Sequence, residues 1–155
     1  MDLYLMQHGQ ATSDAENPER PLTDAGRAAV QRVAARARTA GVRIGHCLHS
    51  GKLRAERTAR LLVSETGAEA SVQARAGLAP NDPVAPTAVA PWGDRHQALA
   101  LVGHLPFLDG LASLLVAGDQ GAQVVHFRMG GLVMLEPKQN RDGFAVVWAI
   151  PPDLA

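Results

Sequence analysis

Two histidines and one arginine, far apart in the chain, occupy similar positions relative to apolar segments. His8 and His104 each come directly after such a segment or one residue later, and Arg54 comes shortly after a third. An imidazole nitrogen can attack phosphorus, and cationic side chains can hold phosphoryl oxygens. If the apolar segments are strands of one open α/β sheet, their ends face a shared crevice. The sequence therefore predicts that His8, Arg54 and His104 meet around a single phosphate.

Neighbouring residues strengthen this prediction. Gly9 follows His8 and would permit a sharp turn that aims the imidazole into the crevice. Lys52 and Arg54 lie at the start of a predicted helix, where cations are unfavourable with respect to the helix dipole unless an anion docks against them. Taken singly, a histidine can simply end a strand and both cations can be solvated surface charges. The second strand-end histidine, His104, favours the phosphate site.

Strands and helices alternate along the chain, as in α/β proteins. The apolar segments predict strands at Leu3–Met6, Ile44–His49, Ser71–Arg75, Ala98–Val102, Gly131–Leu135 and Phe144–Ile150. Helices are predicted from an N-cap at Thr23 to Gly41, from an N-cap at Ser50 to Gly67, from Asp82-Pro83 to Val89, and from Pro106 to Ala117. The last two strands are separated by a turn-rich segment, which predicts a hairpin.

Length and composition narrow the class of protein. The chain has 155 residues, 46% of them hydrophobic, which predicts one domain over residues 1–155. Its 15 basic and 15 acidic residues cancel, so the strong positive field of a nucleic-acid binder or a protein held on anionic lipid is not expected. No apolar stretch approaches membrane-spanning length, no leader precedes the first strand, and the lone Cys47 predicts a buried thiol in a reducing compartment. We expect a cytoplasmic protein with no nucleic-acid or membrane partner.

The remaining histidines do not form a recognisable metal site. His46 and His49 are three apart on a predicted strand, so they face opposite sides of the sheet. No ligand cluster has zinc-like spacing. We therefore predict no metal and no cofactor.

Several motifs, in their order along the chain, resemble those of the histidine phosphatase superfamily, in particular the short phosphohistidine phosphatases of the SixA type. The matching pieces are His8-Gly9, Arg20-Pro21-Leu22-Thr23 with Gly26, Ser50, Leu53-Arg54-Ala55-Glu56 with Thr58, and Val102-Gly103-His104-Leu105-Pro106. The resemblance implies a three-layer α/β/α sandwich with a mostly parallel central sheet, the phosphoglycerate mutase-like fold. It also implies His8 as nucleophile, Arg54 as phosphate clamp and His104 as transition-state stabiliser. Substrate-binding roles are expected for Gln7, Gly9, Ser50, Lys52 and Arg20.

One position departs from the family pattern. The opening motif of the family is Arg-His-Gly, whereas this chain has Gln7 before His8. Glutamine offers hydrogen bonds but lacks the charge of the guanidinium fork. Where the family commonly has proline after its serine, this chain has Gly51-Lys52, and we hypothesise that Lys52 restores the missing charge.

These features lead to one functional prediction and two alternatives. The prediction is a metal-independent phosphohistidine phosphatase that acts on a phosphorylated protein domain in signal transduction, through a covalent intermediate at His8. A short chain without a lid leaves an open crevice, which favours a macromolecular substrate. The alternatives are a phosphatase of small phosphorylated molecules and a phosphoryl-binding pseudoenzyme in which Gln7 has removed turnover. Asp82 is a candidate acid, although capping a helix is the better interpretation of it.

Overall fold

The computed structural model describes residues 1–67, 69–89 and 97–155. Six strands form one sheet, and helices pack against it. In chain order the elements are β1 (Leu3–Gln7), α1 (Asp24–Thr39), β2 (His46–His49), α2 (Leu53–Thr66), β3 (Ser71–Ala74), α3 (Ala85–Ala88), β4 (Leu99–Gly103), α4 (Phe107–Ala117), β5 (Leu132–Pro137), β6 (Phe144–Ile150) and a 3₁₀ turn (Pro152–Leu154). Within the described ranges, no helix has the length and apolar character needed to cross a membrane.

The sheet is mixed, with strands in the order β3-β2-β4-β1-β5-β6. The first four strands of that order pair in parallel, and β5 and β6 run antiparallel and form the predicted hairpin. Because β1, β2 and β4 are parallel to one another, their carboxyl ends lie at one edge of the sheet. That edge is where the sequence places His8, Ser50 and His104.

An apolar core lies on each face of the sheet. Side chains of β1 alternate between the two cores: Leu3 and Leu5 face one, and Tyr4 and Met6 face the other. Helices α1 and α2 close the core of Tyr4, whereas α4 closes the core of Leu3. Burial on both faces explains why the parallel strands are continuous apolar runs in the sequence. The predicted three-layer α/β/α sandwich is confirmed.

The long helices begin and end largely as the sequence predicts. Thr23 caps α1, its hydroxyl accepting a 2.9 Å hydrogen bond from the Gly26 amide. After this helix, Gly41 has φ +86°, a left-handed conformation that glycine adopts without strain. Gly67 caps the carboxyl end of α2.

Two predicted caps are wrong. Lys52, not Ser50, is the N-cap residue of α2, and its side chain makes no capping bond. The third helix spans only Ala85–Ala88, and Asp82 does not cap it, because the Asp82 carboxylate accepts a 2.8 Å bond from the Ala79 amide within the preceding loop. In both cases the side chain that matched a capping pattern has another hydrogen-bond partner.

The lone cysteine is a buried side chain of the sheet. Cys47 lies on β2 and is completely covered in the core beneath α1 and α2. Burial raises the pKa of its thiol to about 12. The thiol is therefore protonated at neutral pH and serves as a small apolar group.

Candidate active site

Strand register brings the two predicted histidines side by side. In the parallel pair β1–β4, Gln7 is opposite Gly103, so His8 and His104 are the next residues of neighbouring strands. The His8 amide donates a 3.0 Å bond to the Gly103 carbonyl, which continues the ladder. The two imidazole centroids are 5.0 Å apart, with the rings inclined by 51°.

The backbone fixes the tautomer of His8. Its Nδ1 lies 2.7 Å from the Gly9 carbonyl oxygen, which can only accept, so Nδ1 carries the hydrogen and Nε2 keeps a free lone pair. Burial lowers the pKa of His8; the bond to Gly9 opposes this shift, and the charges of Arg54 and Arg20 add to it. A neutral imidazole with a free Nε2 is a competent nucleophile.

His104 is also held neutral. It is 2% exposed, and its Nε2 shares a 2.6 Å hydrogen bond with the Ser50 hydroxyl. Burial, followed by the nearby His8, Arg54, Lys52 and Arg20, lowers its pKa to about 3. The His104 Nδ1 is buried and has no hydrogen-bond partner among the described residues. If the Ser50 hydroxyl donates to Nε2, then Nδ1 carries the hydrogen and is a donor without an acceptor.

Three cations surround the imidazoles. Arg54 is the second residue of α2, and its Nε is buried without a partner in the part of the chain that the structure describes. Burial and the proximity of Arg20 lower the pKa of Arg54, and Asp14 opposes this. Lys52 is exposed, and its charge reaches His104. Like charges brought together at a buried donor favour binding of an anion.

Arg20 is held in position by an unusual backbone. Its φ is +52°, which is uncommon for a residue with a side chain, and its Nε donates a 3.0 Å bond to the Thr12 carbonyl. The Asp14 carboxylate lies 3.8 Å from the same Nε. Non-glycine residues in this region often occur at functional sites, where the surrounding structure supports the strain.

Thr58 connects the nucleophile loop to the arginine helix. Its hydroxyl accepts a 3.0 Å bond from the Gly9 amide and donates a 2.8 Å bond to the Arg54 carbonyl. The residue is completely buried. The sequence placed Thr58 in a motif but gave it no role, because the bond from the Gly9 amide, 49 positions away, does not follow from local spacing.

Gly9 is required for packing and not for a turn. Its φ is not positive, and the backbone forms neither a turn nor a bend at residues 8–10, so the expected sharp turn is wrong. A Cβ at this position would lie 2.8 Å from Val30 Cγ2 and 3.2 Å from the Gly26 carbonyl oxygen. Glycine therefore lets the loop after β1 approach α1 closely.

Gln7 ends β1 immediately before the nucleophile. Its carbonyl accepts a 2.9 Å bond from the Gly130 amide. Its side-chain Oε1 is buried and has no partner among the described residues. Thus the side chain that replaces the motif arginine leaves an acceptor unsatisfied.

The structure assembles a crevice of imidazoles and cations. It brings together His8, His104, Ser50 and, through their charges, Arg20, Lys52 and Arg54. Within residues 1–67, 69–89 and 97–155, no three His, Cys, Asp or Glu side chains converge as metal ligands would. The arrangement can bind a tetrahedral anion and offer it a nucleophilic nitrogen.

Comparisons with known proteins agree with this chemistry. The histidine phosphatase superfamily (branch 1) matches residues 3–79. An uncharacterised protein from Picosynechococcus sp. strain PCC 7002 is 33% identical over 144 residues, which cover 87% of this chain and 84% of that protein. This chain belongs to the histidine phosphatase superfamily.

Solved structures show the same fold. The protein histidine phosphatase SixA, complexed with tungstate, superposes with a TM-score of 0.82 at 22% identity, covering 99% of this chain and 98% of that one. An alpha-ribazole phosphatase from Shigella flexneri gives a TM-score of 0.68 at 17% identity, covering 94% and 95%. Proteins of the same fold thus include a phosphatase named for a protein substrate and one named for a small molecule.

Proposed function

We propose that this chain is a phosphohistidine phosphatase that forms a covalent intermediate on His8. The geometry of His8 supports this proposal most strongly. Its Nδ1 is hydrogen-bonded to the Gly9 carbonyl, its Nε2 therefore keeps its lone pair, and its ring lies 5.0 Å from that of a second neutral imidazole. The positive charges of Arg20, Lys52 and Arg54 act on this pair of rings.

In the first step, His8 Nε2 attacks the phosphorus, and the bond between phosphorus and the substrate nitrogen breaks. The substrate imidazole carries a proton on its second nitrogen, so it leaves as a neutral ring without a separate acid. His8 then bears the phosphoryl group on Nε2 and a hydrogen on Nδ1. This phosphorylated ring is cationic, and the Gly9 carbonyl stabilises it through the retained Nδ1–H bond.

In the second step, water attacks the phosphorus, and the bond to His8 Nε2 breaks. His8 leaves with its Nδ1 hydrogen and is again neutral, while the proton of the water passes to the phosphate product. The leaving atom in both steps is an imidazole nitrogen, so the site needs no strong acid. This chemistry suits a crevice in which both histidines have lowered pKa values and are therefore neutral.

The cations and His104 would stabilise the transition state. Arg54 Nε is a buried donor without a partner among the described residues, and so is His104 Nδ1 when the Ser50 hydroxyl donates to Nε2. Phosphoryl oxygens are suitable acceptors for both nitrogens. Ser50 holds His104 from the opposite nitrogen. SixA, whose fold is similar, was solved in complex with tungstate, an oxyanion, which supports the proposal that this chain binds an oxyanion.

A panel of substrates tests the proposal. We expect hydrolysis of a phosphohistidine protein with kcat/KM at least about tenfold above that for sugar and nucleotide phosphates, because those need a protonated leaving oxygen. His46→Ala is the control variant. It should keep the parent's substrate preference, because His46 lies at the other end of β2, next to Ser71. Equal or better hydrolysis of small phosphoesters would contradict the phosphohistidine substrate. Phosphate binding without turnover of any substrate would select the pseudoenzyme.

A further inference from the structure

A cleft of about 490 Å³ adjoins the loop that follows His104. One wall is Leu105, Pro106 and Asp109. The other is formed by the polar side chains of Gln123 and His126 and by the apolar Val125 and the largely buried Phe127. Leu105 is 40% exposed, so the rim of the cleft is open to solvent. The proposed phosphatase chemistry assigns no role to this cleft.

Both walls are tied to the histidines of the crevice. The His104 carbonyl accepts a 2.9 Å bond from the Leu108 amide, which anchors the start of α4. The segment 123–127 leads to Gly130, whose amide lies 2.9 Å from the Gln7 carbonyl and 3.1 Å from the His8 carbonyl. The cleft therefore lies beside the imidazole pair and at a fixed position relative to it.

One carboxylate oxygen in the cleft has no hydrogen-bond partner among the described residues. Asp109 Oδ1 is buried and makes no hydrogen bond within the described part of the chain. A carboxylate at the third position of a helix often accepts a bond from the N-cap amide, but here the N-cap residue is Pro106, which has no N–H. A buried acceptor of this kind is costly unless a donor reaches it. The lining of the cleft includes no lysine or arginine among the described residues.

We propose that this cleft binds the polypeptide segment next to the phosphohistidine, and that Asp109 accepts a hydrogen bond from a basic side chain of that segment. The inference rests on the proposed function and specifies its substrate. Charge complementarity identifies the occupant, because the imidazole crevice carries cations for the phosphoryl group whereas the adjoining cleft carries a carboxylate. The apolar walls formed by Leu105 and Phe127 suit the stem of a long basic side chain.

The test uses two histidine-phosphorylated peptides and free phosphohistidine. One peptide has arginines flanking the phosphohistidine, and the other has glutamates at the same positions. We expect the parent enzyme to favour the arginine peptide about tenfold in kcat/KM, mainly through KM, as loss of one charge-assisted hydrogen bond would imply. Asp109→Asn should reduce this ratio to near one. Asp142→Asn, an exposed acid in the β5–β6 turn, should preserve it.

Different outcomes contradict the proposed peptide binding and the proposed phosphatase activity. A parent ratio near one, or a ratio unchanged in Asp109→Asn, would contradict the proposed binding of the substrate segment in the cleft, even if free phosphohistidine is hydrolysed. If the parent hydrolyses no phosphohistidine compound, the proposed function fails. In that case, equilibrium binding of the two peptides to His8→Ala still tests peptide binding in the cleft. The arginine peptide should bind about tenfold more tightly than the glutamate peptide, and Asp109→Asn should remove this preference.

Discussion

The two imidazoles of the crevice are held more firmly by the protein than two of its three cations, Lys52 and Arg54; the third, Arg20, is bonded to Thr12. His8 and His104 are 8% and 2% exposed, and each has a defined hydrogen bond to the protein. Lys52 is exposed and caps no amide, and Arg54 Nε has no partner in the described ranges. The protein thus fixes the position of the reacting nitrogen, whereas Lys52 is exposed and no hydrogen bond within the described residues holds the Arg54 Nε.

This difference separates two contributions to phosphoryl transfer. Groups that are fixed in place accelerate the chemical step, because no reorganisation is needed when the bond forms. Exposed charges bind and neutralise the phosphoryl group but are screened by water and salt. We therefore expect substitutions of the imidazoles to reduce turnover more than substitutions of the cations.

The largest effect should follow His8→Ala. Removal of the attacking nitrogen should lower turnover by more than about 10⁴-fold, as for other covalent catalysts. The fold should persist, because His8 lies at a strand end and not within either apolar core. Steady-state kinetics and circular dichroism check both expectations. Turnover near the parent level would remove His8 from the mechanism.

His104→Ala should have the next largest effect. Loss of one donor to the transition state typically costs about 10²- to 10³-fold in kcat. Phosphate binding should survive, since Arg20, Lys52 and Arg54 remain. Single-turnover rates and phosphate titration by calorimetry measure the two quantities. A drop in phosphate affinity as large as the drop in rate would show that His104 stabilises the bound ground state as much as the transition state.

The Lys52 hypothesis predicts a smaller loss. Lys52→Met should reduce kcat/KM about tenfold to hundredfold, against almost nothing for an exposed lysine without an anion. Arg57→Met, exposed on the same helix, is the control and should have little effect. If Lys52 supplies the charge that Gln7 lacks, then Gln7→Arg should rescue much of the loss.

A double-mutant cycle decides this compensation. Strictly additive effects of Lys52→Met and Gln7→Arg would show that the two positions act independently. Unchanged turnover in Lys52→Met would assign Lys52 to the solvated surface. Either result would leave Gln7 as an uncompensated departure from the motif.

The smallest expected effects concern pH. Burial lowers the pKa of His8, so the acidic limb of kcat/KM should have its midpoint below 6.5. Bound phosphate should raise the pKa of His8 and His104, because it neutralises the cations that help to lower them. NMR titration of both imidazoles, with and without phosphate, measures these shifts. A limb above 6.5, or no response to phosphate, would contradict this electrostatic account.

The free energy of unfolding should also depend on pH. The folded protein keeps His104 deprotonated down to about pH 3, whereas the unfolded chain takes up this proton near 6.5. Between these values the unfolded state binds more protons, so the free energy of unfolding should fall as the pH falls. Urea denaturation at several pH values tests this, and His104→Asn should show a weaker dependence.

The sequence predicted the strands and the meeting of the histidines because both depend on simple patterns. Apolar runs buried on two faces mark β1 and β4, and the residue after each run must lie at the sheet edge. The partner of His104 was not predictable from local spacing. Ser50 is 54 positions away, and its hydroxyl matched a helix cap equally well until the fold placed it beside His104 Nε2. Asp109 was missed because a first-turn acid normally has a partner.

Trapping the covalent intermediate shows whether His8 attacks the phosphorus. The enzyme is mixed with a ³²P-labelled phosphohistidine protein, quenched in alkali, and digested to locate the label. A phosphoramidate on nitrogen survives alkali, so we expect label on His8 in the parent and in His46→Ala, and none in His8→Ala. Rapid turnover without label on His8, or label retained in His8→Ala, would contradict the covalent mechanism.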